Sequence, residues 1–222
     1  MLYVVSTPIG NLEDMTLRAL RLLREAEVIV AEDTRKTGNL LKYFGIPKKP
    51  FLSLHKFNER RQIAKIISLL KEGKRIALVS NAGTPLISDP GERLVKEAYK
   101  EGIKITAVPG ACAAINALVL SGFSTKRFLF LGFLSKKRNL RLGELRKAKN
   151  TKATLIIFES PFRIKRLLED LVEVFGGKTK VAILREMTKV YEEIRIGLIE
   201  ELKDSLEEKA KGEITVVVED ER

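Results

Sequence analysis

The residues best suited to bind a ligand cluster in the segment Ala77–Gly91, where an apolar run ends in glycines, prolines and short polar side chains. In open α/β sheets, small molecules bind beyond the carboxyl ends of the strands. Gly83 lets a ligand approach the backbone closely, and Pro85 stiffens the loop around it. The segment therefore predicts a ligand-binding loop. An ordinary strand-to-helix turn is the alternative, with Asp89 as N-cap and Pro90 at the first helical position.

Two further loops share this composition, Ser6–Asn11 and Pro109–Ala114, and both follow apolar runs. Together with Asn81–Pro85 they could converge on one cleft. The sequence has no GxGxxG, GxxxxGKS/T or G-x-S-x-G motif, and one cysteine with one histidine provides no zinc site of ordinary spacing. Redox, kinase and zinc-hydrolase chemistry are therefore disfavoured, and no bound metal is expected.

Strand and helix signals alternate along the chain, and this alternation positions the loops. Repeated strand-helix order predicts an N-terminal α/β domain with a mostly parallel sheet over residues 1–122. The pattern restarts near Gly122 and predicts a second α/β domain with a mixed sheet over residues 123–222. The predicted strands are 2–5, 28–31, 75–80, 104–108, 153–159, 181–186, about 192–196 and 214–218, and the predicted helix N-caps are Thr34, Asn58, Asp89 and Ser160.

The excess of basic residues indicates a polyanionic partner. With 41 Lys and Arg against 29 Asp and Glu, the chain carries a formal net charge of +12, which favours RNA, DNA or another acidic surface. The single cysteine, Cys112, excludes an internal disulfide framework and fits a reducing cytoplasm. The amino-terminal sequence lacks the pattern of a signal peptide, and no apolar run approaches the length of a membrane span. We therefore expect a cytoplasmic protein with no membrane partner.

Several motifs, taken together, resemble one family. They span nearly the whole chain and comprise Thr7–Asp14, Ala31–Arg35, Ser53–His55, Ala82–Pro85, Ile87–Gly91, Phe158–Arg163 and Arg185–Lys189. The chain is similar to the ribosomal RNA small subunit methyltransferase I family of the tetrapyrrole methylase superfamily. The resemblance implies two α/β domains, S-adenosylmethionine in a cleft between them, and a homodimer. It also implies methylation of the ribose 2′-hydroxyl of a cytidine in the decoding centre of 16S rRNA, in the small ribosomal subunit.

The same resemblance assigns the cofactor loops. It implies that Gly83–Pro85 is a cofactor loop, that Pro8–Gly10 forms another wall, and that Pro109–Ala114 is a second cofactor segment. Ala111-Cys112 stands where the family commonly has Pro-Ser, and Asn81 stands where it usually has Asp, although an amide still donates and accepts hydrogen bonds. The implied cofactor-binding residues are Pro8, Ile9, Gly10, Ala82, Gly83, Thr84, Pro85, Ile87, Ala113, Ala114, Phe158 and Glu159.

Methyl transfer from a sulfonium requires alignment of the ribose oxygen and exclusion of water, and a base for the hydroxyl is still useful. Candidate bases are Glu32, Asp33, Asp89, Glu159 and His55, while Arg35, Lys36, Arg163 and Lys189 could hold phosphate or stabilise an oxyanion. Several of them also have a structural explanation: capping with a local ion pair for 32–35, helix capping for Asp89, mutual pairing for 159 and 163, and a surface or loop-anchoring role for His55. We favour the Glu32–Arg35 loop, and the candidate catalytic residues are Glu32, Asp33, Arg35 and Asp89.

A basic segment between residues 126 and 152 is the candidate RNA-binding surface. Lysine and arginine neutralise phosphates and release counterions, which makes such binding strongly salt-dependent. A solvated helix face is the alternative explanation, and the net charge of the chain favours RNA. The candidate RNA-binding residues are Lys136, Lys137, Arg138, Arg141 and Arg163.

Two other functions stay open at this point. A tetrapyrrole methyltransferase of the same superfamily would need an open apolar cleft and would gain nothing from a basic surface. A non-catalytic RNA-binding or ribosome-assembly protein would keep the fold with an altered cofactor site, of which Asn81 and Ala111-Cys112 would be signs. Binding of S-adenosylmethionine separates this second alternative from an enzyme.

Overall fold

The computed structural model describes residues 1–55, 57–205 and 211–219. The chain divides into two compact units, Met1–Cys112 and Ala113–Arg222. This division lies before the boundary expected at residue 122. The helix Ala113–Ser121 belongs with the second unit because it packs against three strands of that unit.

The first unit is built on a five-stranded parallel sheet, as the sequence predicts. The strands are β1 Leu2–Val5, β2 Val28–Ala31, β3 Phe51–Ser53, β4 Ile76–Val79 and β5 Ile105–Val108. They lie in the order β3-β2-β4-β1-β5, and the neighbours β4 and β1 are buried along their whole length. A strand buried on both faces reads as a continuous apolar run, which is why these segments are recognisable in the sequence.

Four helices cover the two faces of this sheet: α1 Leu17–Glu25, α2 Thr34–Tyr43, α3 Glu59–Lys71 and α4 Glu92–Lys100. Leu22 and Leu23 of α1 and Leu41 of α2 share one core cluster with alternate residues of the strands. The apolar stripe of α3 and Leu94 of α4 share a second cluster with the other set of strand residues. Helices α1 and α2 therefore cover one face of the sheet and α3 and α4 cover the other, which is the doubly wound arrangement.

The adjacent strands β1 and β4 form the switch point of this topology. The chain leaves β1 toward α1 on one face, and it leaves β4 toward α4 on the opposite face. The two connections thus leave on opposite faces, and in open α/β sheets ligands bind beyond the carboxyl ends of the strands at such a point. The segment Ala77–Gly91 runs directly into this position.

The second unit contains a mixed sheet, as the sequence predicts. Its elements are α5 Ala113–Ser121, β6 Phe128–Phe133, α6 Arg138–Lys149, β7 Thr154–Glu159, α7 Ile164–Phe175, β8 Lys180–Arg185, β9 Glu193–Leu198, α8 Ile199–Asp204 and β10 Ile214–Val218. The strands lie in the order β6-β7-β10-β8-β9; the β6-β7 pair is parallel, and the other three pairs are antiparallel. Helices α6, α7 and α8 cover one face through the core cluster of this unit, and α5 packs against β7, β8 and β10.

Three predicted helix N-caps are wrong, by one to three residues. Helix α2 is capped by Asp33, whose carboxylate accepts backbone N–H groups, and Thr34 is already helical. Helix α4 begins at Glu92 behind Gly91, so Asp89 is not its N-cap. The residues that follow Ser160 form a turn, and α7 begins only at Ile164. In the last two cases a proline-containing turn precedes the helix, and the sequence signal for the two is the same.

Asn58 does occupy the N-cap position of α3, but it makes no side-chain capping bond. Its amide instead accepts the N–H of His55 over 2.9 Å and donates to the carbonyl of Ser53 over 3.0 Å. The side chain therefore fixes the loop that enters the helix. Strand β3 is absent from the prediction because it is only three residues long and follows Pro50.

Candidate functional site

The loops that follow β1, β4 and β5 are held together by backbone hydrogen bonds. Thr7 N–H donates to the carbonyl of Gly83 over 2.9 Å, and Gly83 N–H donates back to Thr7 over 3.0 Å, forming an antiparallel bridge. Ser6 N–H donates to the carbonyl of Val108, at the end of β5, over 3.3 Å. We refer to these segments, 6–11, 80–91 and 109–112, as the strand-end loops. They lie together at the switch point of the first sheet.

Buried hydroxyl groups tie the same loops to one another. The Thr84 hydroxyl donates to the carbonyl of Ala111 over 3.0 Å and lies 3.0 Å from the hydroxyl of Ser6. Because the Thr84 proton is used on Ala111, Ser6 is the donor of this second bond. Ser80 donates to the carbonyl of Ala82 over 3.1 Å. These side chains satisfy the loops internally, so a ligand here would meet mainly backbone atoms.

Two glycines allow the strand-end loops to approach this closely. Gly83 has a φ of +76°, and a Cβ there would lie 3.1 Å from Cγ2 of Ile9. A Cβ on Gly110 would lie 2.8 Å from the Cβ of Ser6. Only a residue without a side chain fits either position without displacement of its neighbour.

The loop after β4 also contains two non-glycine residues in the left-handed region, Leu86 at φ 73° and Ser88 at φ 65°. Such a conformation costs roughly 1–2 kcal/mol per residue. It persists only where the surroundings determine it, and it is concentrated at binding and catalytic sites. The loop is therefore held in one shape by its contacts rather than by its own preference.

Glu32, Asp33 and Asn81 form a small network beside these loops. The Asn81 amide donates to Oε2 of Glu32 over 2.8 Å, and its oxygen accepts the backbone N–H of Asp33 over 3.2 Å. Both functions of the amide are thus used. An aspartate at position 81 would place a second carboxylate against Glu32, so asparagine is the residue that suits this arrangement.

Asp33 has mainly a structural role in this network. Its carboxylate accepts the backbone N–H groups of Arg35 and Lys36 and forms an ion pair with the Arg35 guanidinium. Hydrogen bonds from the Arg35 side chain and backbone hold the pKa of Asp33 below its usual value. A carboxylate bound in this way is a poor base, and the capping explanation accounts for it. Arg35 itself is largely exposed.

The other candidate bases of the first unit lie in neighbouring loops. His55 follows β3, and its Nδ1 accepts the N–H of Phe57 over 3.3 Å, which fits the loop-anchoring explanation. Asp89 is half-buried in the bend that precedes α4. Among the candidates, Glu32 is the carboxylate that the amide of Asn81 orients at the carboxyl edge of the sheet.

The remaining implied cofactor residues lie in the second unit. Ala113 and Ala114 form the first turn of α5, and Ala114 is buried. Phe158 packs edge-on against Phe130, with ring centroids 4.9 Å apart, and against Phe133 at 5.6 Å.

Glu159 ends strand β7 with a buried carboxyl group. Its Oε1 accepts the N–H of Ser160 over 2.7 Å, and its Oε2 lies 3.3 Å from Nη2 of Arg163 without the geometry of a hydrogen bond. Burial raises the pKa of Glu159, while the Ser160 N–H and the Arg163 charge act in the opposite direction. The two residues do pair with each other.

Arg141 is a buried structural residue, which corrects its prediction as a surface contact. Its guanidinium forms an ion pair with Asp170 at 2.6 Å, and the two side chains are only 6% and 1% exposed. Nη1 of Arg141 donates to the carbonyls of Ser135 and Lys136 over 3.0 and 3.3 Å. No phosphate can reach this guanidinium while the pair is intact.

Arg163 also bonds the backbone of the segment between β6 and α6. Its Nη2 donates to the carbonyls of Leu134 and Ser135 over 3.1 and 3.2 Å. Arg138 is exposed but bonded to Asp170 and Glu173. We call the group Arg141, Glu159, Arg163 and Asp170 the loop clamp, because it fixes the segment between β6 and α6.

Lys136 and Lys137 are the members of the predicted basic surface that remain available. Both are exposed, and neither forms an ion pair with a residue in the described ranges. Of the five predicted RNA-binding residues, the two lysines are thus free to bind a ligand. The three arginines are bonded to carboxylates or to backbone carbonyl groups.

The partner of Arg141 was not predicted, although the sequence contains a signal for the pair. Asp170 interrupts the apolar stripe of α7 between Leu167 and Leu171, and Arg141 adjoins Leu142 on the buried face of α6. Opposite charges on two apolar stripes at helical spacing indicate a buried pair. The buried hydroxyls after β1 and β4 carried a similar signal, since each directly follows a fully buried strand.

Residues 1–55, 57–205 and 211–219 contain no group of three or more His, Cys, Asp or Glu side chains that could hold a metal ion. None of the helices in these ranges is both long and apolar enough to cross a membrane.

Comparison with known proteins identifies relatives over almost the entire chain. The family of tetrapyrrole (corrin/porphyrin) methylases matches residues 1–203. A Halalkalibacterium halodurans protein named ribosomal RNA small subunit methyltransferase I is 49% identical over 219 residues, covering 98% of this chain and 75% of that protein. The protein of the same name from Thermotoga maritima is 47% identical over 218 residues, covering 98% and 97%.

Two solved structures show that other enzymes share this fold. Uroporphyrin-III-C-methyltransferase from Thermus thermophilus has a TM-score of 0.69 at 25% identity and covers 97% of this chain and 93% of its own. A diphthine synthase has a TM-score of 0.74 at 18% identity, covering 98% and 89%, and therefore shows the fold alone.

The cofactor of this family is S-adenosylmethionine. The strand-end loops fit it in two respects. Gly83 and Gly110 let the loops pack closely where any Cβ would be crowded, so the walls of the site are formed by backbone. The hydroxyl of Thr7 is buried and has no hydrogen-bond partner among the described residues, so it can bond a polar atom of a bound molecule.

The geometry of the switch point and the similarity over almost the full length lead to the same assignment. The chain belongs to the tetrapyrrole methylase family and, within it, to the ribosomal RNA small subunit methyltransferase I proteins.

Proposed function

We propose that this protein methylates 16S rRNA in the small ribosomal subunit, at the ribose 2′-hydroxyl of a cytidine in the decoding centre. The observation that carries the proposal is the similarity, over nearly the full chain, to several proteins named ribosomal RNA small subunit methyltransferase I, at 44–49% identity. The net charge of +12 supports a polyanionic substrate. A cytoplasmic location and a homodimer are part of the same proposal.

The strand-end loops would hold the cofactor. The backbone at Thr84 would face it, the Thr7 hydroxyl would bond one of its polar groups, and Ile9 would contact its apolar part, while Gly83 permits the close approach of the loops. When bound, S-adenosylmethionine supplies a methyl group that is already activated on a sulfonium. The protein therefore has to orient the acceptor oxygen and exclude water, which the preformed backbone of these loops favours.

Glu32 is the residue we propose as general base. In this role it takes the proton of the ribose hydroxyl on a carboxylate oxygen, while the Asn81 amide holds the other oxygen at 2.8 Å. Asp33 is less suited to the role, because its carboxylate already accepts two backbone N–H bonds and pairs with Arg35. Arg35, largely exposed at the start of α2, would contact a phosphate of the substrate.

Glu32→Gln and Asp33→Asn form a matched pair that tests this assignment. Positioned acid–base groups contribute about 10²–10⁴-fold to rate. Glu32→Gln should lower kcat by that amount with unchanged affinity for S-adenosylmethionine. Asp33→Asn should lower kcat by less than about tenfold, because asparagine is also a good N-cap. Equal losses in the two variants would contradict the assignment of Glu32.

The function itself is tested by incubating the protein with labelled S-adenosylmethionine and small ribosomal subunits that lack the modification. Mass spectrometry of the digested 16S rRNA should find one methyl group on a ribose 2′-oxygen of a cytidine. A methyl group on a base would contradict the 2′-O assignment. Absence of S-adenosylmethionine binding in calorimetry would contradict the enzyme and favour a non-catalytic RNA-binding protein.

A further inference from the structure

Two phenylalanine rings are exposed beside the loop clamp. Phe133, the last residue of β6, is 61% exposed, and Phe162, in the turn before α7, is 89% exposed. An exposed ring loses the free energy that burial would give it, about 1.5–3 kcal/mol for a phenylalanine. A single exposed ring is ordinary, but apolar groups that lie together and are rimmed by polar residues mark an interaction site.

The loop clamp joins the segments that carry these rings. Arg163 directly follows Phe162 and donates to the carbonyls of Leu134 and Ser135, the two residues after Phe133. The Phe133 ring also packs against Phe158, on the strand that leads into the turn. The two segments are thus held side by side by hydrogen bonds and ring contact.

The basic residues of the loop are fixed by the same contacts. Arg141 bonds the carbonyls of Ser135 and Lys136, Ser135 N–H donates to Glu144 over 3.2 Å, and Lys137 N–H donates to the Ser135 hydroxyl over 3.2 Å. A backbone held at this many points loses little conformational entropy when it binds. The lysine side chains therefore extend from a preorganised loop.

The charge on this loop is not neutralised locally. Lys136 and Lys137 are exposed, and the described residues offer neither of them an ion pair. Helix α4 provides a contrast, because exposed Tyr99 lies between Lys96 and Lys100, which pair with Glu92 and Glu97. The two segments have similar residue types, but the positive charge is unpaired in the loop before α6 and is paired with glutamates on α4.

Aromatic rings next to free lysines suit one ligand chemistry, an unpaired stretch of nucleic acid. Bases stack on aromatic side chains, and lysines neutralise the phosphates between them. A second copy of the chain suits the surface less well. In a twofold interface each residue patch faces its own copy, so the two lysines would be brought close to a second pair of like charges.

We propose that Phe133, Phe162, Lys136 and Lys137 form a binding surface for single-stranded RNA, on which the two rings stack with unpaired bases. This inference rests on the proposed function for the identity of the RNA, and it adds that the recognised segment is unpaired. The loop clamp is the positioning element, and its arginines do not contact the RNA.

The test measures binding of a fluorescein-labelled oligouridylate of about twelve nucleotides by anisotropy, at several salt concentrations. Phe133→Leu combined with Phe162→Leu should weaken binding by about 5- to 100-fold with an unchanged salt dependence, because stacking releases no counterions. Lys136→Gln combined with Lys137→Gln should weaken binding and lower the slope of log K against log salt by about 1.4.

Matched variants control for general effects. Tyr99→Leu removes an exposed ring from α4, and Lys42→Gln with Lys65→Gln removes two exposed lysines from α2 and α3. Neither should change affinity by more than about twofold. Thermal unfolding of every variant checks that the fold is retained. Equal effects of test and control variants would overturn the surface.

Two further outcomes separate this inference from others. If the phenylalanine variants dissociate a dimer in sedimentation and leave RNA affinity unchanged, the surface binds a second copy and the proposal is overturned. If the phenylalanine variants bind RNA and methylate small subunits as the wild type does, the proposed binding surface is wrong while the proposed function stands. If the wild type binds the oligonucleotide through these residues but methylates no subunit, only the proposed function fails.

Discussion

The strand-end loops of the first unit and the loop clamp of the second are stabilised by opposite kinds of interaction. The strand-end loops contain almost no charge, and backbone bonds such as Thr7–Gly83 and buried hydroxyls hold them together. The loop clamp depends on buried or half-buried charges, above all Arg141 with Asp170. A nearly neutral group of loops can be held in shape by backbone hydrogen bonds. A loop that exposes two unpaired lysines is instead held by buried ion pairs and by hydrogen bonds from buried arginine to its carbonyl groups.

The difference predicts that the second unit is the more sensitive to loss of one charge. Asp170→Ala leaves the buried guanidinium of Arg141 without a partner and should lower the free energy of unfolding by about 3–5 kcal/mol. Glu173→Gln, in exposed pairs with Arg138 and Arg146, should change it far less, because solvent screens these charges. Chemical denaturation measures both. Similar values for the two variants would show that the buried pair is not the main support of the loop.

The first unit should instead be sensitive to a single methyl group. Gly83→Ala places a Cβ 3.1 Å from Ile9 at a φ of +76° and should lower the free energy of unfolding by about 1–2 kcal/mol. It should also weaken S-adenosylmethionine binding about tenfold or more, as measured by calorimetry. Gly38→Ala, in the open on α2, should raise stability by up to about 1 kcal/mol. Stabilisation in both variants would contradict the tight approach of the loops.

Adding a charge to the nearly neutral edge of the first unit should affect chemistry more than stability. Asn81→Asp places a second carboxylate beside Glu32. Because like charges repel, the pair would keep one proton up to a higher pH than a single carboxylate does. The rise of kcat with pH should move upward by about one unit or more. Asn81→Ala should lower kcat without moving the profile. An unshifted profile with unchanged cofactor affinity in Asn81→Asp would show that position 81 is a bystander.

The smallest expected effect concerns the buried carboxyl of the loop clamp. Burial raises the pKa of Glu159 above its usual value of 4.5, so the folded state keeps a proton that the unfolded state has released. Stability should therefore fall as pH rises from 4.5 through the raised pKa. Glu159→Gln should flatten this part of the curve and shift Tm by less than about 3 °C at neutral pH. Exposed Glu169→Gln should leave the curve unchanged, and a curve as steep in Glu159→Gln as in the wild type would contradict the assignment.

Much of the fold was predictable because burial on both faces leaves a clear pattern. The strands Leu2–Val5, Val28–Ala31 and Ile214–Val218 lie where their apolar runs predict them. Helix starts were less predictable, since Asp89 and Ser160 precede prolines that here belong to turns. Capping depends on whether a short polar side chain points back at its own backbone, and the same residue types serve turns equally well.

The candidate site divides in the same way. The glycine and proline loops were located from sequence because parallel strands bring their carboxyl ends to one edge, so the loops after β1, β4 and β5 had to be near one another. The roles of charged residues could not be assigned in this way. Asp33 and Glu32 are neighbours in the sequence, yet one caps a helix and the other is held by Asn81.

By itself, the sequence determined the class of fold, the position of the strand-end loops and the family to which the chain belongs, because these depend on local patterns and on their order. Only the tertiary structure decided which charges are buried. Arg141 and Lys137 are alike in sequence terms, but Arg141 meets Asp170 from another helix and Lys137 meets solvent. The free energy of a charge depends on the partners and the water around it, and those are set by residues distant in the chain.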